Sequence, residues 1–482
     1  MLMSNSLIDI KQKVYLSTSG RIEYFGDSPM GLLLTMYTLY HPAPHQFLSV
    51  VQSKSNTLKS GNSSNAHTNQ VTGLFKTETN AMEASIKAYF DYFHHYCPIV
   101  NKMSFLTNFS RQSPILVYMV CALGCSYIPS VANKFKEIFT DRALFYLKSG
   151  YLRASVDNAT ALLMMGLYQH HHKEFPKGWL YMGMSLRMCY SLGLDRHSPK
   201  LTEAENESRS KLWYWGHILD KFYAFSLNRP WTQDCSISSP KYPSNYMLEV
   251  VREDPAELTL GLGTLIYLYF LSELCHLMNM IVRKFKFTEA LQTDCISSSE
   301  NTARAISKHL DFWKLKSEQA FDSITNFNFK IQQSIITDFQ KSLMLIYYGV
   351  LVQLYQVFSE IRVPKLKQYY YDQCNEASKQ VITVANEMGD SIIYSCTTYK
   401  FYALSSAIMI QIKNGSSKTE DRANEGKKYT LLSLSIMKKA SPYFTLATEC
   451  YRLISLVANV EGMDYNLYNL YDKQNWANNV SR

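Results

Sequence analysis

Turn-forming residues are scarce in this sequence, and the motifs of the common enzyme classes are absent from it. Its 482 residues include only 19 glycines and 14 prolines, which favours a helical protein over a β-sandwich with its many turns. No GxSxG, HExxH, P-loop or GxGxxG pattern occurs, so no hydrolase, zinc protease or nucleotide-binding enzyme is indicated. We therefore predict a largely helical protein that is not an enzyme.

A strong excess of one charge is lacking too, as is a signal peptide. The 49 basic residues outnumber the 40 acidic ones by nine, which favours solubility and weak attraction to polyanions but defines no nucleic-acid groove. Residues 1–10 have neither a basic start nor a long apolar run. The ten cysteines are scattered through apolar segments, which indicates a reduced, intracellular protein whose thiols pack in the core.

Two features could suggest a metal site or a membrane span. Cys121 and Cys125 would share one face of a helix, but they supply only two of the four ligands that structural zinc needs. The longest apolar run, 258–282, is long enough to cross a membrane, yet it contains Glu273 and His276. We predict core packing in both places, with no cofactor in this chain and no membrane contact.

Helical periodicity dominates the chain beyond residue 80. It predicts an all-α fold, a large irregular multi-helix domain built from helix pairs, preceded by a short β-hairpin within 13–25. The predicted division is a lead-in with the hairpin (1–50), a disordered Ser/Asn-rich linker (51–80), the helical domain (81–460) and a tail or final helix (461–482). Predicted helices cover 81–96, 114–128, 131–149, 152–172, 177–193, 203–227, 257–284, 296–316, 329–360, 368–388, 390–412 and 426–440, with a last pair to about 470.

The histidine run 169-QHHHKEF-175 lies just before Pro176. It could chelate a metal, but its polarity predicts a solvated loop between two helices.

Arg187 is the one interior charge of an apolar stretch, 178-GWLYMGMSLRMCYSLGLDRH-197. A helix that is apolar all round is buried, and a buried guanidinium needs a carboxylate. The next predicted helix has one acid in an equally apolar context, Asp220. We predict a buried ion pair between Arg187 and Asp220, with Arg229 as the rival partner of that carboxylate.

These two helices and the segment before them carry a set of spaced residues. The set comprises Trp179, Gly183, Arg187, then Leu192-Gly193-Leu194, then Trp213, Trp215, Asp220 and Arg229-Pro230, with Pro98 and Phe105 upstream. It resembles the middle regulatory region of fungal zinc binuclear cluster transcription factors, the fungal-specific transcription factor domain. The resemblance is clearest from about 80 to 245, and it makes these residues a structural signature.

Two departures from that family stand out. Asn228 replaces the family's glycine before Arg-Pro, and asparagine tolerates a left-handed turn better than most residues. The family's DNA-binding module, six closely spaced cysteines that hold two zinc ions, has no counterpart in this sequence. The chain could be a truncated or a naturally headless family member, and zinc and DNA binding then belong to complete members.

The resemblance implies a nuclear regulator of RNA polymerase II transcription. Its expected partners are transcriptional coregulators or a family dimer partner, with a small-molecule effector as a further candidate and DNA only if an upstream module is missing. Alternatives are a protein-interaction or dimerisation scaffold and an all-α enzyme of unrecognised type. The Met-, Tyr- and Phe-rich stretches 179–192, 213–225 and 343–358 could line an effector pocket or simply form core. The tail 461–482 is either a weakly acidic activation segment or a final helix.

Overall fold

Fifteen α-helices make up nearly all of the part of the chain that the computed structural model describes. The described residues are 14–16, 22–24, 78–131, 133–149, 153–172, 174–227, 229–232, 255–282, 285, 296–325, 330–360, 363–394 and 398–460. Within them the fold is all-α apart from one pair of short strands, as the periodicity predicts. The predicted tail and nearly all of the predicted linker lie outside the described residues.

The elements follow one another in a simple order. The strands β1 (Val14–Leu16) and β2 (Ile22–Tyr24) pair antiparallel, with Tyr15 opposite Glu23. The helices are α1 (Glu78–Ala88), α2 (Lys102–Thr107), α3 (Pro114–Cys125), α4 (Asn133–Ser149), α5 (Val156–His171), α6 (Phe175–Ser191), α7 (Glu203–Leu227), α8 (Pro255–Ile281), α9 (Ile296–Thr325), α10 (Lys330–Gln356), α11 (Pro364–Glu387), α12 (Ser391–Tyr394), α13 (Thr398–Gly415), α14 (Glu420–Ala440) and α15 (Thr445–Val460).

Several predicted boundaries differ from those in the structure. α1 begins inside the predicted linker and continues as a π-helical turn, Tyr89–Phe93, while the short helix α2 was not predicted at all. The helix predicted at 390–412 is two helices, α12 and α13. A six-residue helix such as α2 is too short to give a helical period. It depends on Asn101, whose side chain accepts the backbone N–H of Ser104 at 2.9 Å as an N-cap.

α5 and α6 pack against each other as an antiparallel pair. Ser155 caps the start of α5 by accepting the N–H of Asn158 at 3.1 Å. Glycines let the two backbones approach, because a Cβ on Gly178 would stand 2.9 Å from the carbonyl oxygen of Gly166. Ser185 then donates a hydrogen bond to the carbonyl of Ala159 at 2.7 Å. The α5–α6 pair is therefore held at two levels, by the close backbone approach at Gly178 and by the hydrogen bond of Ser185.

α8 and α10 are the most apolar long helices of the described chain. By length and composition each could cross a membrane, over Thr259–Ile281 and Ser334–Gln356. Both instead pack within the protein: α8 lies against α7, α9 and α10. Trp313 of α9 donates its indole N–H to the carbonyl of Phe270 in α8 at 3.0 Å. The core packing predicted for 258–282 agrees with these contacts.

Candidate functional site

The Leu-Gly-Leu sequence after α6 forms a Schellman cap. Gly193 adopts φ +63°, a left-handed conformation that costs glycine little. Its N–H donates to the carbonyl of Tyr190, and the N–H of Leu194 donates to that of Cys189, both at 3.0 Å. Leu194 is buried beneath the cap. The motif thus ends α6 and turns the chain towards α7.

α7 begins with a capping box. The N–H of Thr202 donates to Glu205 Oε2 at 2.9 Å, and the N–H of Glu205 donates to Thr202 Oγ1 at 3.3 Å. Arg209, one turn further on, donates to the carbonyl of Leu192 at 2.6 Å. The basic residue before the tryptophans therefore also satisfies the end of α6, where carbonyls lack helical partners.

The tryptophans of the signature lie between α6 and α7. Trp215 is fully buried, and Trp213 packs edge-on against Tyr190 with ring centroids 4.7 Å apart. Close approach is possible because the next residue is Gly216, where a Cβ would stand 2.7 Å from a methyl group of Leu186. These residues hold the two signature helices together by packing.

The upstream part of the signature is also a packing cluster. Pro98 is buried where the π-helical turn ends, and Phe105 of α2 is buried as well. Phe105 contacts Phe90 with ring centroids 5.6 Å apart. The aromatic segment therefore anchors α2 to the end of α1.

The predicted ion pair between Arg187 and Asp220 is wrong. Arg187 is exposed, and it forms no ion pair with Asp220 among the described side chains. α6 is apolar on both sides, so its sequence could not tell which face is buried. The guanidinium of Arg187 lies along α6 beside Gly183, and its Nη1 is 3.6 Å from the position that a Cβ on that glycine would take. The missing side chain leaves room for this outward path.

Asp220 is buried, and backbone groups hold its carboxylate. The N–H of Thr232 donates to Oδ2 at 2.8 Å and lies 3.1 Å from Oδ1, while Lys221 Nζ is 4.0 Å from Oδ2. Both charged side chains are only 3% exposed. The hydrogen bond from this backbone N–H favours the charged form of the buried carboxylate. Asp220 thus ties the chain after α7 back onto that helix.

Two cations of this region lie over tryptophan rings. Arg229 stands 5.4 Å from the ring centroid of Trp179 on α6, and Lys221 stands 4.7 Å from that of Trp231. Pro230 between them is exposed. The Arg-Pro end of the signature therefore folds across α6, so the motif closes a loop over the helix pair.

The histidine run is not the predicted solvated loop. His170 and His171 belong to α5 and are buried, at 0% and 3% exposure. His170 stacks on Tyr223 of α7 at 3.6 Å between ring centroids, and His171 packs edge-on against Phe444. Neither imidazole has a hydrogen-bond partner. Burial lowers the pKa of His170 well below its usual value and that of His171 to about 3, with the neighbouring cationic groups adding to the effect.

A small cavity lies beside this stack. Its walls come from five helices, α5, α6, α7, α13 and α15. The cavity has a volume of about 30 Å³, room for roughly two water molecules. The residues that line it are His170, Phe175, Tyr223, Ser226, Leu227, Phe401, Tyr402, Ser405, Leu446 and Cys450. Of the three aromatic-rich stretches that could line a pocket or form core, only 213–225 contributes to this cavity, through Tyr223.

The sequence contained a partial signal for the buried histidines but none for the cavity. Leu163 and Leu167 are buried on α5, and His170 and His171 continue their helical spacing. Polarity masked that continuation. The cavity, in contrast, joins residues from 170 to 450, and local patterns cannot reveal such distant neighbours.

The described cysteines do not fit a zinc cluster. All seven are buried and unpaired with one another: Cys97, Cys121, Cys125, Cys189, Cys275, Cys374 and Cys450. Zinc binds thiolates, whereas burial raises the pKa of Cys125 to about 11 and that of Cys189 to about 12. Cys125 instead contacts Ser85 Oγ at 3.0 Å. Within the described chain no three His, Cys, Asp or Glu residues are grouped as metal ligands.

These features define an all-α domain in which two capped, tryptophan-packed helices frame a buried cavity. Residues 86–315 match the fungal specific transcription factor domain. The match contains α6, α7 and every residue of the signature.

Similar proteins are fungal regulators of transcription. The chain is 30% identical over 150 residues to the lactose regulatory protein LAC9 of Kluyveromyces lactis, which is 29% of this chain and 17% of that protein. It is 25% identical over 197 residues to the nitrogen assimilation transcription factor nit-4 of Neurospora crassa, 36% of this chain and 17% of that protein. An uncharacterized transcriptional regulatory protein of Schizosaccharomyces pombe, C757.04, is 24% identical over 180 residues, 34% and 28% of the two chains. The matched segments thus span less than a third of each relative.

Proposed function

We propose that this chain is the regulatory part of a fungal transcription regulator that acts in the nucleus on RNA polymerase II transcription. The observation that carries the proposal is the match over residues 86–315, together with relatives that are themselves transcription regulators. The domain organisation that goes with it is a helical regulatory region from 81 to 460. Its signature residues act as structural supports of that region.

The inputs of such a region are contacts with other molecules. Coregulators or a family dimer partner would bind its surface, and a small-molecule effector would bind inside it. Within the described chain the cavity beside His170 is where the second input would act, and its volume of about 30 Å³ restricts that effector to a molecule far smaller than those bound by pockets of roughly 300–1,000 Å³. The relatives and the matched domain also favour a role other than catalysis.

A tethering experiment tests the regulatory proposal. The complete chain is fused to an unrelated DNA-binding domain in yeast and measured on two reporters, one silent and one active. We expect several-fold activation of the first or repression of the second, compared with the DNA-binding domain alone. If the fusion is confirmed in the nucleus and both reporters are expressed at the level seen with the DNA-binding domain alone, the proposal is contradicted.

DNA reading and zinc binding are proposed to lie outside these 482 residues. In this family a zinc-organised module places a helix in the major groove, and the described cysteines are buried thiols unsuited to that role. We expect less than one tightly bound zinc per purified chain and no sequence motif enriched from random duplexes at physiological salt, where attraction to phosphates alone is weak. Stoichiometric zinc or an enriched motif would overturn this part.

A further inference from the structure

The cavity beside His170 contains polar groups without partners. Both ring nitrogens of His170 and the hydroxyl of Ser226 are buried and have no hydrogen-bond partner. Two other hydroxyls of the wall are satisfied: Ser405 donates to the carbonyl of Phe401 at 2.7 Å, and Tyr402 donates to Gln353 Oε1 at 3.0 Å. Buried polar groups are nearly always paired, so the unpaired ones point to a missing occupant.

The chemistry of the wall limits what that occupant can be. None of the ten lining residues carries a formal charge while His170 is neutral, so a charged ligand would lose its hydration without compensation. A neutral imidazole offers one donor and one acceptor, and a serine hydroxyl offers both. The wall otherwise consists of aromatic and aliphatic groups, which suit a short hydrocarbon part.

The size of the cavity limits the occupant further. About 30 Å³ is far below the roughly 150 Å³ cavity that holds benzene in an engineered protein, a worked case of dry apolar binding. An aromatic or multi-ring molecule therefore does not fit in this conformation. A molecule of only a few non-hydrogen atoms does.

We propose that this cavity is a binding site for a small uncharged molecule with a hydrogen-bonding head, a short-chain alcohol or primary amide. Its polar head pairs with Ser226 and with Nδ1 of His170, because the Nε2 edge of that ring lies against Gly178 of α6, and its carbon part contacts Leu227 and Leu446. The occupant would join α7, inside the matched domain, to α13 and α15, which lie beyond residue 315. Its role as a regulatory signal rests on the proposed function, whereas binding itself is a property of the purified chain.

Binding is tested by saturation-transfer NMR on the purified complete chain, with ethanol and acetamide as probes and acetate as the charged counterpart of acetamide. We expect transfer to the methyl groups of ethanol and acetamide with affinities on the order of millimolar, as befits so few atoms. Acetate should give no competable signal. Equal transfer to acetate and acetamide would overturn the proposal, and so would the absence of transfer to both neutral probes, which would leave water as the occupant.

Three variants locate the site. Ser226→Ala removes one hydrogen-bonding group without filling the cavity, and it should weaken binding by about fivefold. Cys450→Met fills the cavity and should abolish binding, while Ser323→Ala, an exposed serine on α9, should leave it unchanged. If Cys450→Met does not fold, Ser226→Ala still decides, because wild-type affinity in that variant would place the probes elsewhere. A chain that binds the probes but is inactive in the tethering experiment would contradict the regulatory role and leave the site intact.

Discussion

The ends of α5 and α7 pack against each other, yet they accommodate buried titratable side chains in opposite ways. At the end of α7, Asp220 and Lys221 are buried next to a backbone N–H donor and an aromatic face. At the end of α5, His170 and His171 are equally buried but have no hydrogen-bond partner, and burial keeps both neutral by lowering their pKa.

The difference follows from what surrounds each group. A charge survives burial where dipoles or opposite charges stabilise it. An imidazole without such partners loses its proton instead, at a much smaller free-energy cost than burying the cation. Two adjacent helix ends should therefore respond differently to pH and to substitution, and four predictions follow from this contrast.

Acid should produce the largest effect, through the histidines. Their pKa is lowered in the folded chain, to about 3 for His171 and about 4 for His172, so below about pH 6.5 the unfolded chain binds protons that the folded chain excludes. The unfolding free energy should have its full value above that pH. As the pH is lowered further, it should fall by about 1.4 kcal/mol per pH unit for each such histidine until the folded pKa is reached. Urea unfolding from pH 7 to 4 measures this.

A matched pair of variants isolates the histidine contribution from that of the carboxyl groups. His171→Phe keeps an aromatic ring against Phe444. It should reduce the slope of the unfolding free energy against pH by the contribution of one histidine, about 1.4 kcal/mol per pH unit. His309→Gln, at an exposed position on α9, should leave the slope as it is. The other charges near the run are Arg229, which faces His170, and Lys136, which faces His172; both oppose protonation. Equal slopes in both variants would contradict the prediction.

Removing the buried carboxylate should have the next largest effect. Asp220→Ala removes the carboxylate beside Lys221 and the acceptor of the Thr232 N–H, so we expect a loss of about 3–5 kcal/mol in unfolding free energy. Asp220→Asn keeps an acceptor for that N–H and should lose less. Chemical denaturation measures both, with Asp141→Ala at an exposed site as the control. A loss below about 1 kcal/mol for Asp220→Ala would show that this carboxylate does not stabilise the loop after α7.

The fold followed from the sequence because the helices are long and their apolar positions recur. The cap of α6 can also be predicted from the sequence, because Gly193 in Leu-Gly-Leu supplies the left-handed residue that a Schellman cap needs. The buried face of α6 cannot be predicted from the sequence, since the sides of the helix that are not fully buried also carry apolar residues, Leu180, Tyr181 and Met184. Close contacts at Gly178 and Leu186 decide the buried face, and these depend on partners that a linear pattern does not contain.

The site was less predictable than the fold for the same reason. Spacing identified Asp220 as buried, but the partner assigned to it was the wrong one, because a backbone N–H leaves no trace in the sequence. The histidines were assigned to a loop by their polarity alone. Packing against Tyr223 and Phe444 overrides that preference, and both contacts come from parts of the chain that follow α5.

A second buried cation extends the contrast to another part of the molecule. Lys400 of α13 is 1% exposed, donates to Ser342 Oγ at 2.7 Å and stands 5.1 Å from the ring centroid of Tyr96. Asp338 is near this cluster and accepts Ser391 Oγ at 2.8 Å; burial raises its pKa, and Lys400 opposes that shift.

Lys400→Met should therefore lower the unfolding free energy by about 1–3 kcal/mol and raise the pKa of Asp338 further. The expected loss is smaller than for Asp220→Ala because Asp338 is only partly buried. Lys308→Met at an exposed position of α9 is the matched control. NMR titration of the Asp338 carboxyl follows the pKa, and a downward change on losing Lys400 would contradict the assigned interaction.

Arg187 gives the smallest expected effect and the sharpest test of which signature charge is buried. Its guanidinium is exposed beside Gly183, so Arg187→Ala should change the unfolding free energy by no more than about 0.5 kcal/mol, the usual range for surface substitutions. The same substitution combined with Asp220→Ala should be additive, because residues without a shared contact do not couple. A double-mutant cycle by urea unfolding measures this. A coupling energy above about 1 kcal/mol would mean that the two side chains interact in solution. A value near zero would agree with Asp220 being held by the chain that follows α7, and with Arg187 lying on the surface, where it can contact a partner.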